Sequence, residues 1–68
     1  MSIGLINTLR DARTTRGWTQ AQLADACGVS RKTINTVENG VFVPSTVLAL
    51  KLARALGRPV ETLFRLVE

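Results

Sequence analysis

The stretch Gln20-Ala21-Gln22-Leu23-Ala24-Asp25-Ala26-Cys27-Gly28-Val29-Ser30-Arg31-Lys32-Thr33-Ile34-Asn35-Thr36-Val37-Glu38-Asn39 decides the fold. Its apolar residues recur at helical spacing on both sides of Cys27-Gly28-Val29-Ser30, which predicts two short helices joined by a tight turn. Thr19, followed three positions later by Gln22, has the pattern of a capping box and starts the first helix. Ser30 caps the second, which runs from Arg31 to about Glu38 and stops at Asn39-Gly40. Gly28 stands where the chain must take a left-handed φ, which costs little only without a Cβ. Ala24 stands where the two helices must approach closely. Leu23, Cys27, Val29, Ile34 and Val37 supply a shared apolar wedge that sets the crossing angle. Each feature is common alone, but the joint spacing over about residues 20–39 is that of a helix-turn-helix.

Working outward, Gly and Pro punctuation divides the rest of the chain into further helices, with no strand expected. The first helix is read from about Ile3 to Arg16, with Leu5, Ile6, Leu9 and Ala12 on one stripe and Gly17 as its stop. After the extended link Val41-Phe42-Val43-Pro44, Ser45 caps a fourth helix that is apolar on most faces and ends at Gly57; a helix of that kind is expected to be a central strut. A fifth, short helix follows Pro59 and uses Val60, Leu63 and Phe64, while the tail Arg65-Leu66-Val67-Glu68 is compatible with helix or extended chain. The fold class expected is therefore all-α, a compact five-helix domain. With 68 residues the chain makes one domain, residues 1–68, because half that length could not enclose a core.

Composition narrows the chemistry. One Cys (Cys27) and no His exclude an internal disulfide and argue against a structural metal site, and no cofactor is implied. Carboxylates spread over Asp11, Asp25, Glu38, Glu61 and Glu68, with no His or Tyr, offer no nucleophile–base pair, so an enzyme is not expected. Nine basic residues against five acidic ones leave a charge of +4, which favours a polyanionic partner. No apolar run is long enough to span a bilayer, and Met1-Ser2-Ile3-Gly4-Leu5 lacks a basic leader pattern, so a cytoplasmic location is expected.

The third helix carries the functional signal. Advancing about 100° per residue and centring the inward face on Ile34 and Val37 turns Lys32, Asn35, Thr36 and Asn39 outward, with Arg31 and Thr33 on the flanks. All six can hydrogen-bond and none is acidic, whereas an ordinary solvated helix face mixes Glu with Lys. Arg31 suits guanine O6 and N7, Asn35 suits adenine, and the Thr36 methyl suits thymine. Arg31, Lys32, Asn35 and Thr36 are accordingly the expected base contacts. Gln20 opens its helix where free N–H groups favour a phosphate. Trp18, just before a cap, is read as a packing staple.

These residues resemble the Cro and phage-repressor type helix-turn-helix, the Xre family of bacterial and phage transcription regulators. The resemblance is carried by Gly17-Trp18-Thr19-Gln20-Ala21-Gln22-Leu23-Ala24, Gly28-Val29-Ser30-Arg31-Lys32-Thr33-Ile34, Glu38-Asn39-Gly40 and Pro44-Ser45. The stretch from Pro44 to Ala53 and the ending Val60-Glu61-Thr62-Leu63-Phe64 look like the short stand-alone members. Arg31 departs from the Gln common in phage repressors, which leaves the target sequence open. The resemblance implies a lambda-repressor-like domain that binds double-stranded DNA, with a repressor the expected role. It gives Gln20 and Asn39 a phosphate-clamping role, and Ser30 and Thr33 are assigned to phosphate alongside them. It also implies an internal ion pair between Arg13 and Glu38. A palindromic operator and a homodimer joined through the fourth helix and residues 60–68 are expected, because Val47, Leu48, Leu50, Leu63, Phe64, Leu66 and Val67 exceed what so small a core absorbs. No membrane partner and no small-molecule effector is implied. A protein-interaction adapter on the same fold is the alternative, and it would tolerate Asp or Glu at Lys32, Asn35 and Thr36.

Overall fold

The computed structural model describes residues 4–67 and orders them as β1 (Leu5–Asn7), α1 (Leu9–Thr15), α2 (Gln20–Cys27), α3 (Arg31–Glu38), α4 (Thr46–Leu56), α5 (Val60–Leu63) and β2 (Phe64–Leu66). The five helices stand as expected, but the domain is not all-α. β1 and β2 pair antiparallel with Leu5 opposite Leu66, Ile6 opposite Arg65 and Asn7 opposite Phe64.

That pairing corrects the reading of both ends. Leu5 and Ile6 do not extend the stripe of α1, and Phe64 does not belong to α5. Helix α1 begins only at Leu9, whose N–H is taken by Asn7 Oδ1 at 2.8 Å, so the side chain that starts the helix also ends the strand. Thr8 then ties this start to the far end of the chain: its N–H donates to the Leu63 carbonyl at 2.9 Å and its Oγ1 to the Thr62 carbonyl at 2.6 Å. Apolar residues at 5, 6, 9 and 12 fit a helix as well as a strand followed by a helix. The choice is made by a partner strand some sixty positions away, which local periodicity does not register. Ile3, the expected start of the first helix, and Glu68, the end of the tail, lie outside the described residues.

The core lies between the helices. Leu9, Leu23, Ile34, Val37, Leu52 and Leu63 are fully enclosed, with Ala12, Ala24, Cys27, Leu48, Ala53 and Leu56 completing the cluster. Trp18, Val29, Val60 and Phe64 pack against it. Helix α4 packs on α2 and α5 and buries Leu48, Leu52, Ala53 and Leu56, while Val47 and Leu50 on its other side remain 63% and 57% exposed. No described helix is long and apolar enough to cross a membrane.

Candidate nucleic-acid interface

Local chemistry sets the ends of α2 and α3. Thr19 accepts from the Gln22 N–H, and Gln22 Oε1 accepts the Thr19 N–H at 2.8 Å, closing the capping box. Gly28 ends α2 at φ 69°, and Val29 N–H returns to the Ala24 carbonyl at 3.0 Å. Ser30 Oγ then accepts the Thr33 N–H at 3.2 Å and starts α3. Of the wedge read from the sequence, Leu23, Cys27, Ile34 and Val37 are buried, with Ala24 beside them, and Val29 is half-buried against the core.

With Ile34 and Val37 turned inward, Arg31, Lys32, Asn35 and Asn39 are exposed along α3, and Thr33 and Thr36 are half-buried at its side. Glu38 is the only carboxylate of α3, and its side chain is completely enclosed. Arg13 reaches it from α1 with two bonds, Nε to Oε2 at 2.6 Å and a terminal nitrogen to Oε1 at 3.1 Å, and also donates to the Trp18 carbonyl at 2.8 Å. Burial pushes the Glu38 carboxyl pKa up. Hydrogen bonds from Arg13 and Gln20, the Arg13 charge and a bond from Arg10 outweigh that and hold it below the usual glutamate value. The bond to Glu38 in turn raises Arg13, against the opposing effect of burial. The surface that α3 presents is therefore free of negative charge.

Around Glu38 the structure gathers three residues that the sequence assigned separately, Gln20, Asn35 and Asn39, and adds Arg10 to them. Gln20 Nε2 donates to Glu38 Oε1 at 3.1 Å and to Asn35 Oδ1 at 3.2 Å. Asn39 Nδ2 donates to the Asn35 backbone carbonyl at 2.8 Å and to Asn35 Oδ1 at 3.1 Å. Arg10 joins Asn39 Oδ1 at 3.1 Å and lies 3.5 Å from Glu38 Oε1. The participation of Arg10 was not foreseen; its spacing of three from Arg13 put both on one helical face, and that was the available signal. Arg16 stands apart, with its guanidinium 4.3 Å from the centre of the Trp18 ring, which packs as the expected staple.

The remaining predicted residues do not join that network. Ser30 and Thr33 bond each other at 3.0 Å at the start of α3. The Thr36 hydroxyl donates back to the Thr33 carbonyl at 2.9 Å, which leaves its methyl as the group with no polar engagement. The Thr36 carbonyl accepts the N–H groups of Val41 and Phe42, so this apolar link folds against α3 and lines a shallow depression with Lys32, Thr33 and Thr36. The sequence reading gave Val41 and Phe42 no role. Nothing in a Val-Phe-Val run between a helix stop and a Pro marks where it will lie.

Comparison with known proteins bears on the same segment. The helix-turn-helix family model matches residues 9–63. An uncharacterized HTH-type transcriptional regulator of Methanothermobacter thermautotrophicus is 46% identical over 61 residues, covering 88% of this chain and 88% of the relative. YgzD of Bacillus subtilis, an HTH-type transcriptional regulator, is 37% identical over 62 residues, covering 91% and 94%. The competence pilus inhibition repressor of Acinetobacter baylyi is 38% identical over 68 residues, which is 100% of this chain and 60% of that protein. Among solved structures, the restriction-modification controller protein C.AhdI of Aeromonas hydrophila superposes with a TM-score of 0.75 at 40% identity, over 78% of this chain and 80% of that one.

Proposed function

The chain belongs to the Xre-type helix-turn-helix family of DNA-binding transcription regulators, and on that premise we propose that α3 enters the major groove of double-stranded DNA as a sequence-reading helix. The observation that carries this reading is the inward burial of Glu38. By withdrawing the one carboxylate of α3 behind Arg13, the fold leaves Arg31, Lys32, Asn35 and Asn39 on a surface that phosphates do not repel. Arg31, Lys32 and Asn35 contact base edges, and Thr36 offers its methyl to thymine.

Gln20, Ser30 and Thr33 flank that face and hold phosphates, while Asn39, also expected at a phosphate, has its amide engaged by Asn35 and Arg10. At Gln20 the group free to do so is the backbone N–H that opens α2, since both amide hydrogens of the side chain are engaged by Glu38 and Asn35. One domain, residues 1–68, carries the activity. It acts as a homodimer on a palindromic operator, joined through the exposed Val47 and Leu50 and the segment 60–68, where Leu66 and Val67 are 71% and 56% exposed. Its role is repression, the role named for the Acinetobacter baylyi relative.

Heparin retention followed by a salt titration of binding to random duplex DNA tests the premise. Affinity that falls steeply and linearly on logarithmic axes as salt rises is expected. Salt-independent binding, or none, defeats the reading.

A further inference from the structure

The hydrogen bonds around Asn35 have a direction, fixed at both ends by groups that act in one sense only. Glu38, ionised against Arg13, can only accept, so Gln20 must turn its amide nitrogen toward it. The second hydrogen of that nitrogen then faces Asn35 Oδ1. On the other side the Arg10 guanidinium can only donate, so Asn39 must turn its oxygen toward Arg10. Asn39 Nδ2 is left to face the Asn35 backbone carbonyl, which can only accept, together with Asn35 Oδ1. Two N–H donors thus fill the two lone pairs of Asn35 Oδ1. The Nδ2 hydrogens of Asn35 are the part of the amide with no partner among the described residues.

From this circuit we infer that Asn35 reads DNA as a donor only and selects guanine, not the adenine that an unconstrained Asn favours. Bidentate adenine recognition requires the amide oxygen to accept from N6 while the nitrogen donates to N7. Gln20 and Asn39 close the first half of that contact. Guanine presents two acceptors, O6 and N7, in the major groove, and an outward NH2 group can serve them. Gln20, Asn39 and, behind them, Arg10 and Glu38 are positioning residues that set the base preference through Asn35. The inference deepens the DNA-reading role proposed above and rests on it.

The test selects bound fragments from a random duplex pool with the full chain, as wild type, Asn35→Ala and Asn39→Ala. The position whose preference Asn35→Ala flattens belongs to Asn35. Guanine is expected there in the wild type, and exchanging it for adenine should weaken binding about fivefold or more. Asn39→Ala returns one lone pair to Asn35 and should shrink the guanine-to-adenine ratio at that position alone. With the wild-type protein, 7-deazaguanine placed there, which lacks the N7 acceptor, should also bind less tightly. Adenine in the wild-type consensus, a consensus indifferent to Asn35→Ala, or a ratio unmoved by Asn39→Ala overturns the donor assignment and leaves DNA reading intact. Absence of any consensus and of salt-sensitive duplex binding overturns both.

Discussion

Arg13 Nε donates to Glu38 Oε2 at 2.6 Å, joining α1 to the last residue of α3 across 25 positions of sequence. The Arg13 side chain is 11% exposed and that of Glu38 not at all, so the pair is shielded from screening by water and salt. It ties α3 to α1 and, through Glu38 Oε1, engages Gln20.

Arg13→Ala should destabilise the domain by about 3 kcal/mol, because Glu38 is left as a buried charge with only Gln20 and Arg10 to answer it. Thermal melts should show a fall in midpoint on the order of 10 °C or more. The double variant Arg13→Met, Glu38→Leu should recover much of that loss, since two apolar groups remove the uncompensated charge. A wild-type midpoint for Arg13→Ala would contradict a structural role for the pair.

Stability should depend on acid in a definite sense. The Glu38 pKa is lower in the folded than in the unfolded chain, so between the two values the unfolded state binds more protons. Its contribution is full above the ordinary carboxylate range and is lost as pH falls through the depressed folded value. In Arg13→Ala the burial that opposes ionisation loses its main counterweight, so the Glu38 pKa should rise and protonation should relieve the variant. Melts from pH 7 to pH 3 should therefore show the gap between wild type and Arg13→Ala closing; a constant gap would contradict the assignment.

Gly28→Ala should cost about 1–2 kcal/mol through backbone conformation alone. Its φ is 69°, and an added Cβ would meet nothing within 4 Å. Gly28→Asn should cost less, because Asn tolerates the left-handed region. Ala24→Leu, at a buried site beneath the turn, should cost about 1–3 kcal/mol by overpacking. Urea titrations of the three variants check the order; equal losses for Ala and Asn at residue 28 would point to sterics instead of φ.

Arg31→Ala should relax preference at one base position and weaken the selected site by about 1–3 kcal/mol while leaving binding to random duplex nearly as strong. Repeating the selection with this variant measures both. An unchanged consensus would remove Arg31 from the reading set.

Leu50→Glu should leave the unfolding free energy of the monomer within about 0.5 kcal/mol of wild type, because the side chain is 57% exposed. The same change should abolish self-association in sedimentation at micromolar concentration. A dimer that survives Leu50→Glu paired with Val47→Glu would place the interface elsewhere.

The helix-turn-helix was legible because every signal in it is local: a capping box, a Gly at φ 69°, a second Ser cap, and apolar residues three and four apart. The strands were not, because Leu5 and Leu66 each acquire their conformation from the other. The site divides in the same way. Outward placement of Lys32, Asn35 and Asn39 follows from helical phase, and Arg31, expected on the flank, is exposed beside them. Thr36 was read as outward, and the fold leaves it half-buried because the Val41–Phe42 link returns to its carbonyl. The circuit through Gln20, Asn35, Asn39 and Arg10 depends on χ angles and on elements from three parts of the chain, none of which spacing encodes.

The strand pair has a consequence for the order in which the molecule assembles. Bringing Leu5 to Leu66 closes nearly the whole chain into a single loop, held by three residue pairs, the bond from the Val67 N–H to the Gly4 carbonyl and the two bonds of Thr8. The helices, built on contacts close in sequence, can form and dock without it. The pair should therefore form late and open first as stability falls, which faster amide exchange in β1 and β2 than in the core helices would show. Because Asn7 leads from that pair into α1 and bonds the Val37 carbonyl at the end of α3, opening of the strands should loosen the end of α3 as well.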